Sequence, residues 1–164
     1  DTGVDGNVAE LQGVVAGGTD FSGIGASDGQ TPVGSVGSEH GTMVAGLAAG
    51  RGSGGNNGVI GSAPESVVLA ISIGFGEGTL SSDDQIAQAV RWAVDHGADV
   101  INMSLTRNTL DWPESWDDAF LYAMQHDVVI VAAPTLSALE PVALVVPEKV
   151  SVLGDTRSPS STWP

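Results

Sequence analysis

Short apolar runs alternate along the chain with segments in which apolar positions recur every three or four residues. The runs with the length and composition of strands cover residues 67–73, 99–103, 128–132 and 150–153. Apolar strands that alternate with helices are typical of a parallel sheet that is buried on both faces. The pattern therefore predicts an α/β domain in which helices flank a mostly parallel sheet.

The clearest helical pattern covers residues 83–96. Its apolar stripe consists of Ile86, Ala89, Val90, Ala93 and Val94. Ser82 and Gln85 have the spacing of a capping box at its start, and Gly97 supplies a stop signal after its end. We therefore expect an amphipathic helix over these residues.

The pattern also predicts a second helix and two glycine-rich loops. The second helix is predicted to begin after Pro113, since proline is preset for the first turn of a helix. Its apolar side consists of Trp116, Phe120, Ala123 and Met124. Glycine is frequent in segments 17–38 and 50–58, and this composition favours loops over packed elements.

Composition and charge narrow the classes of function. The 164 residues are enough for one domain with a sizeable core, and no linker divides them. Twenty acidic residues against five basic ones give a formal net charge of -15, which repels phosphate backbones and anionic membrane faces. The longest apolar runs, such as residues 128–134, are too short to span a bilayer, and no cysteine is present. We expect neither nucleic acid nor a membrane as a partner.

The stretch SEHGTMVAG, residues 38–46, holds the first candidate for chemistry. His40 lies at or just before the start of a predicted helix, where the helix dipole favours a neutral imidazole that can accept a proton. The small residues after it would let the helix approach neighbouring backbone closely. They are Gly41, Ala45, Gly46, Ala48 and Ala49. The arrangement suits a general base, although a lone histidine at a helix start is more often a capping or surface residue.

Four motifs that follow one another along the chain favour the catalytic interpretation of His40. They are DTGVD at 1–5, HGTMVAG at 40–46, GVIGSAPES at 58–66 and DVINMSL at 99–105. Together they resemble the subtilisin-like serine peptidases, the subtilases. The resemblance implies a three-layer α/β fold, with residues 1–164 as a partial catalytic domain that is incomplete at both ends. It also implies a secreted, monomeric serine endopeptidase that acts on polypeptides.

The resemblance assigns roles to individual residues. Asp1 would be the acid that orients the histidine, and His40 would be the general base that takes the proton of a serine. Ser104, Leu105 and Thr106 resemble the strand against which subtilases bind the main chain of the substrate. The segment that contains Gly74 and Gly76 resembles the opposite edge of that cleft, so an extended peptide would lie between the two.

Three departures from the family pattern leave a second hypothesis open. The serine motif G-T-S-M-A appears nowhere in these residues, so this chain would supply only the aspartate and the histidine and be inactive alone. Pro134 and Thr135 stand where subtilases usually place a glycine and the asparagine that donates to the oxyanion, and Thr106 replaces a glycine. A degenerate subtilase that binds peptides or a partner without cleaving them is therefore the alternative. An unrelated α/β ligand-binding domain is a third reading.

No cofactor is required by this reading, although calcium remains open. The segment Gly55-Asn56-Asn57-Gly58 resembles a shortened version of the calcium loop of some subtilases, but most loops of this composition are simple turns. The other two histidines, His96 and His126, are expected at a helix end and before a strand, without the spacing of a zinc site.

Overall fold

The computed structural model describes residues 1–35, 37–55, 57–74, 81–105 and 113–133. After a short 3-10 turn at Ala9–Leu11, the helices are α1 (His40–Ala49), α2 (Ser82–Asp95) and α3 (Glu114–Gln125). The strands are β1 (Val15–Asp20), β2 (Val68–Ser72), β3 (Val100–Met103) and β4 (Val129–Ala132). The strand predicted at 150–153 and residues Thr106, Gly76, Pro134 and Thr135 lie outside the described ranges.

The strands pair in parallel, as the alternation of strands and helices predicts. β1 pairs with β2, placing Thr19 opposite Ile71, and β3 pairs with β4, placing Ile101 opposite Ile130. Within the described ranges these pairs form two two-stranded sheets rather than one continuous sheet. The α/β class and the parallel pairing are confirmed.

Two hydrophobic cores lie on opposite sides of β2. Ala70 belongs to a core that includes Ala45 and Ala49 of α1, with Val4, Leu11 and Val14. Ile73, three positions later, belongs to a core that combines α2 and α3 with the ends of β3 and β4. Because side chains of an extended chain alternate between faces, helices cover both faces of β2. This arrangement gives the three layers of the fold.

The prediction of a loop from residue 17 was wrong, because β1 continues to Asp20. Gly18 in this strand serves close packing of backbone on backbone. A Cβ at Gly18 would overlap the carbonyl oxygens of Ala70 and Asp28, so no larger residue fits between the neighbouring strand and the returning loop. Glycine in this strand therefore marks close approach of main chains rather than the absence of regular structure.

The predicted capping box of α2 was also wrong by one residue. The N-cap is Ser81, whose hydroxyl accepts from the Asp84 N–H at 3.2 Å and donates to the Asp84 carboxylate at 2.7 Å. This reciprocal pair satisfies one of the free N–H groups at the start of the helix. The apolar stripe was predicted correctly, since Ile86, Val90, Ala93 and Val94 are buried. α3 begins directly after Pro113, and Trp116, Phe120 and Ala123 are buried.

Candidate active site

Asp1 and His40 are in direct contact at the N-terminal end of α1. His40 is the first residue of that helix, and its Nδ1 lies 3.0 Å from Oδ1 and 3.1 Å from Oδ2 of Asp1. The Asp1 side chain is only 14% exposed, whereas the His40 side chain is 46% exposed. The carboxylate is therefore enclosed on one side of the ring, while the rest of the imidazole reaches solvent.

Thr2 fixes Asp1 relative to the start of α1. Its hydroxyl donates to the Ser38 carbonyl at 2.7 Å and accepts from the Gly41 N–H at 3.0 Å. Its own N–H donates to Asp1 Oδ1 at 2.7 Å, and the residue is 5% exposed. The N-cap residue Glu39 makes no side-chain bond, so Thr2 satisfies one of the helix's free N–H groups from another segment. The sequence reading missed this role, although Thr2 stands inside the D-T-G motif.

Gly41 brings the two segments into backbone contact. A Cβ at this position would overlap the Gly3 carbonyl oxygen and lie 3.1 Å from Asp1 Oδ1. At the next residue, the Thr42 hydroxyl accepts from the Asp5 N–H at 2.9 Å. The prediction that small residues permit close approach is correct for Gly41, whereas Gly46 has no neighbouring atom within 4 Å of such a Cβ.

The geometry determines which nitrogen of His40 is available for chemistry. A carboxylate can only accept, so the Nδ1 that faces Asp1 carries a hydrogen and the lone pair of a neutral ring lies on Nε2. The main-chain nitrogen of Asp1 points elsewhere, donating to the Ile71 carbonyl at 3.3 Å. The arrangement can therefore present Nε2 as a proton acceptor.

The described residues predicted to bind substrate follow strands that share one core. Gly74 comes directly after Ile73, at the end of β2, and Ser104 and Leu105 come directly after Met103, at the end of β3. Ile73 and Met103 both belong to the core of α2 and α3, and Leu105 packs against it. The Ser104 hydroxyl accepts from the Asn102 side chain at 2.9 Å. Thr106 and Gly76 lie outside the described residues.

The remaining candidates occupy structural positions. The Nδ1 atoms of His96 and His126 lie 2.8 Å from the carbonyl oxygens of Trp92 and Tyr122, one helical turn earlier. Across the described part of the chain, no group of three or more His, Asp or Glu side chains is placed to hold a metal. In the glycine-rich loop, Asn57 forms a turn with Ser53 and Gly54, and Asn56 lies outside the described residues. Calcium binding stays a prediction.

Comparison with known proteins decides the family. The model of the Subtilase family matches residues 1–135 of this chain. The chain belongs to the subtilase family. Its family resemblance thus covers every described residue, including the segments that carry Asp1, His40, Gly74 and Ser104.

Individual relatives agree with this assignment. Fervidolysin of Fervidobacterium pennivorans is 38% identical over 144 residues, which cover 81% of this chain and 19% of the relative. Thermitase of Thermoactinomyces vulgaris is 35% identical over 135 residues, which cover 81% of this chain and 44% of thermitase. The solved structure of the S41 psychrophilic protease superposes with a TM-score of 0.65 at 35% identity, covering 82% of this chain and 43% of that protein. The subtilase chain described here therefore spans less than half the length of each.

Proposed function

We propose that this chain supplies the acid and the base of a serine endopeptidase that cleaves polypeptides by the Asp-His-Ser mechanism. The observation that carries the proposal is the contact of the Asp1 carboxylate with His40 Nδ1 at 3.0 Å, made by the two motifs that a subtilase uses for this purpose. The nucleophilic serine would come from sequence outside these residues, because the G-T-S-M-A motif is absent from them. The chain alone is then inactive.

Each residue has a defined task in this mechanism. His40 Nε2 takes the proton of the serine hydroxyl as that oxygen attacks the carbonyl carbon of the peptide, and returns it to the leaving amine. Asp1 holds the ring in the tautomer that leaves Nε2 free and stabilises the imidazolium that forms. Thr2 and Gly41 hold the Asp1 carboxylate and the His40 ring in fixed relative positions. This matters because a misplacement of about 1 Å can cost about a hundredfold in rate.

The ends of β2 and β3 provide the substrate edges in this proposal. Gly74 begins one edge, and Ser104 and Leu105 begin the other, so that an extended peptide would pair with main chain between them. Because this pairing uses main-chain groups, it fits polypeptides in general and does not depend on one particular side chain.

The decisive experiment is labelling of the full-length gene product with a fluorophosphonate, read out by intact mass. The proposal predicts one covalent adduct on a serine, lost when His40 is changed to Ala, since the serine depends on its base. Labelling that is equally fast in wild type and His40→Ala would contradict the role of His40. A folded protein that binds peptides but takes no label would instead support the degenerate, non-catalytic alternative.

We also propose that the enzyme acts outside the cell as a monomer. The large net negative charge of -15 favours solubility in an extracellular medium. In the described parts of the chain, no helix combines the length and apolarity needed to cross a membrane. Recovery of the mature enzyme from cell-free medium, at the monomer mass in gel filtration, is the expected result. Retention in the cytoplasm or a stable dimer would contradict this part.

A further inference from the structure

The backbone of Gly74 is bound on both sides by the first turn of α2. The Gln85 side-chain Oε1 accepts from the Gly74 N–H at 2.7 Å, and the Ser82 hydroxyl donates to the Gly74 carbonyl at 2.8 Å. The N–H and the C=O of one residue belong to two successive peptide planes. The orientations of both planes, one on each side of Gly74, are therefore fixed by side chains of a single helix.

Gln85 is an unusual residue at this place. Its side chain is fully buried, at 0% exposure, although glutamine is mostly found at the surface. Burying an amide is costly unless it is hydrogen-bonded, and the start of α2 is already capped by Ser81 and Asp84. The bond from Gln85 to Gly74 thus serves the chain that leaves β2 rather than the end of the helix.

Glycine at position 74 makes such a restraint necessary. Gly74 is buried but has no side chain whose packing could set the direction of the chain. Ile73 before it is held in the core of α2 and α3, and α2 itself is anchored there by Ile86 and Val90. The two hydrogen bonds therefore transfer the rigid position of α2 to the backbone of Gly74, just after the end of β2.

We propose that Gln85 and Ser82 are positioning residues that align the substrate-binding edge beginning at Gly74. The proposal rests on the proposed peptidase function, in which this edge pairs with the main chain of an extended peptide. Neither side chain is assigned contact with the scissile bond. Their effect acts through Gly74 and grows with the number of substrate residues that pair with the edge.

The test compares a long and a short substrate in the full-length gene product. The long substrate is an acylated pentapeptide amide, and the short one is an acylated single-residue ester with the same residue at the bond that is cleaved. Gln85→Met keeps the side-chain length and removes the acceptor. We expect kcat/KM to fall about tenfold for the pentapeptide and to change less than about twofold for the ester, because the substitution removes the buried hydrogen bond to the Gly74 N–H.

Conservative variants separate positioning from general damage. Gln85→Glu retains an oxygen that can accept from Gly74, and Ser82→Thr retains the hydroxyl, so both should recover most of the pentapeptide rate. Ser82→Ala removes the donor to the Gly74 carbonyl and should lower the pentapeptide rate about threefold while sparing the ester. If Gln85→Met does not fold, the ratio of the two rates in Ser82→Ala decides the question.

The outcomes distinguish this inference from the function on which it rests. Equal loss on both substrates, or no loss on either, with an active wild type would overturn the positioning role and leave the peptidase function intact. A folded wild type that cleaves neither substrate would overturn the peptidase function, and the positioning role with it.

Discussion

The two helical regions of the described chain are fixed by different kinds of contact. Around α1, Thr2 and Thr42 bond to backbone groups, and Gly41 packs directly on the Gly3 carbonyl. Around α2 and α3, large apolar side chains such as Trp116 and Phe120 fill a common core. Directional bonds and backbone contact can hold groups to within about 0.5 Å, whereas an apolar core tolerates repacking. The Asp1–His40 region therefore relies on accurate placement of its functional groups, whereas the apolar core of the α2–α3 region supplies stability.

The largest effect on stability is expected from truncating the apolar core. Trp116 is 6% exposed, and its Nε1–H donates to the Asp83 carbonyl at 3.1 Å. Trp116→Ala should lower the free energy of unfolding by about 3–5 kcal/mol, measured by urea denaturation. Leu121→Ala on the same helix is the matched control, because Leu121 is 50% exposed and should cost far less. Equal losses in the two variants would mean that Trp116 does not anchor this core.

Substitution of Gly41 is expected to cost less stability than Trp116→Ala but to disturb the geometry of the Asp1–His40 contact more. Gly41→Ala forces a Cβ against the Gly3 carbonyl, so the Asp1 segment and α1 must move apart. We expect a loss of about 1–3 kcal/mol in unfolding free energy, as for an overpacked core, together with a weakened Asp1–His40 contact seen in the histidine NMR spectrum. Gly46→Ala in the same helix meets no neighbour within 4 Å and should be neutral or stabilising in this chain. If both variants behave like wild type, α1 is not held by backbone contact.

A loss of stability of about the same size is expected from removing the Thr2 hydroxyl. Thr2→Val keeps the shape of the side chain but leaves the Gly41 N–H and the Ser38 carbonyl without this partner. The expected cost is about 1–3 kcal/mol in unfolding free energy, measured by thermal and urea denaturation, because a buried group loses its hydrogen bond. Thr2→Ser retains the hydroxyl and should stay within about 0.5 kcal/mol of wild type. Indistinguishable stabilities for the valine and serine variants would show that the hydroxyl does not join the two segments.

The sequence was sufficient for the parts of the fold that depend on periodic apolar side chains. The stripe of α2 and the proline before α3 mark real elements, and the apolar runs at 67–73, 99–103 and 128–132 contain β2, β3 and β4. β1 was missed because its glycines carry no side-chain signal, and the close approach of Ala70 and Asp28, which explains Gly18, is not visible in the sequence. The cap of α2 was misplaced because Ser81 and Ser82 have the same chemistry, and the sequence does not show that Ser81 bonds to Asp84 in the helix while Ser82 bonds to Gly74.

Only the residues of the candidate site to which the family motifs assign a role could be predicted. Asp1 and His40 were expected together, and the structure brings them into contact across 39 positions of sequence. Thr2 and Gln85 were not assigned these roles, because their importance depends on Gly41 and Gly74, which are distant from them in sequence. No local sequence pattern predicts a hydrogen bond between a side chain and a backbone group that is distant in sequence.

The central claim is that Asp1 orients His40 as the general base of a peptidase, and the most direct test is kcat/KM for peptide cleavage by Asp1→Asn in the full-length gene product. The amide can donate to His40 Nδ1 and so favour the wrong tautomer, and we predict a loss of about 10⁴-fold. Asp28→Asn, at an exposed position, is the control and should retain wild-type activity. An Asp1→Asn enzyme that remains within about tenfold of wild type would contradict the account.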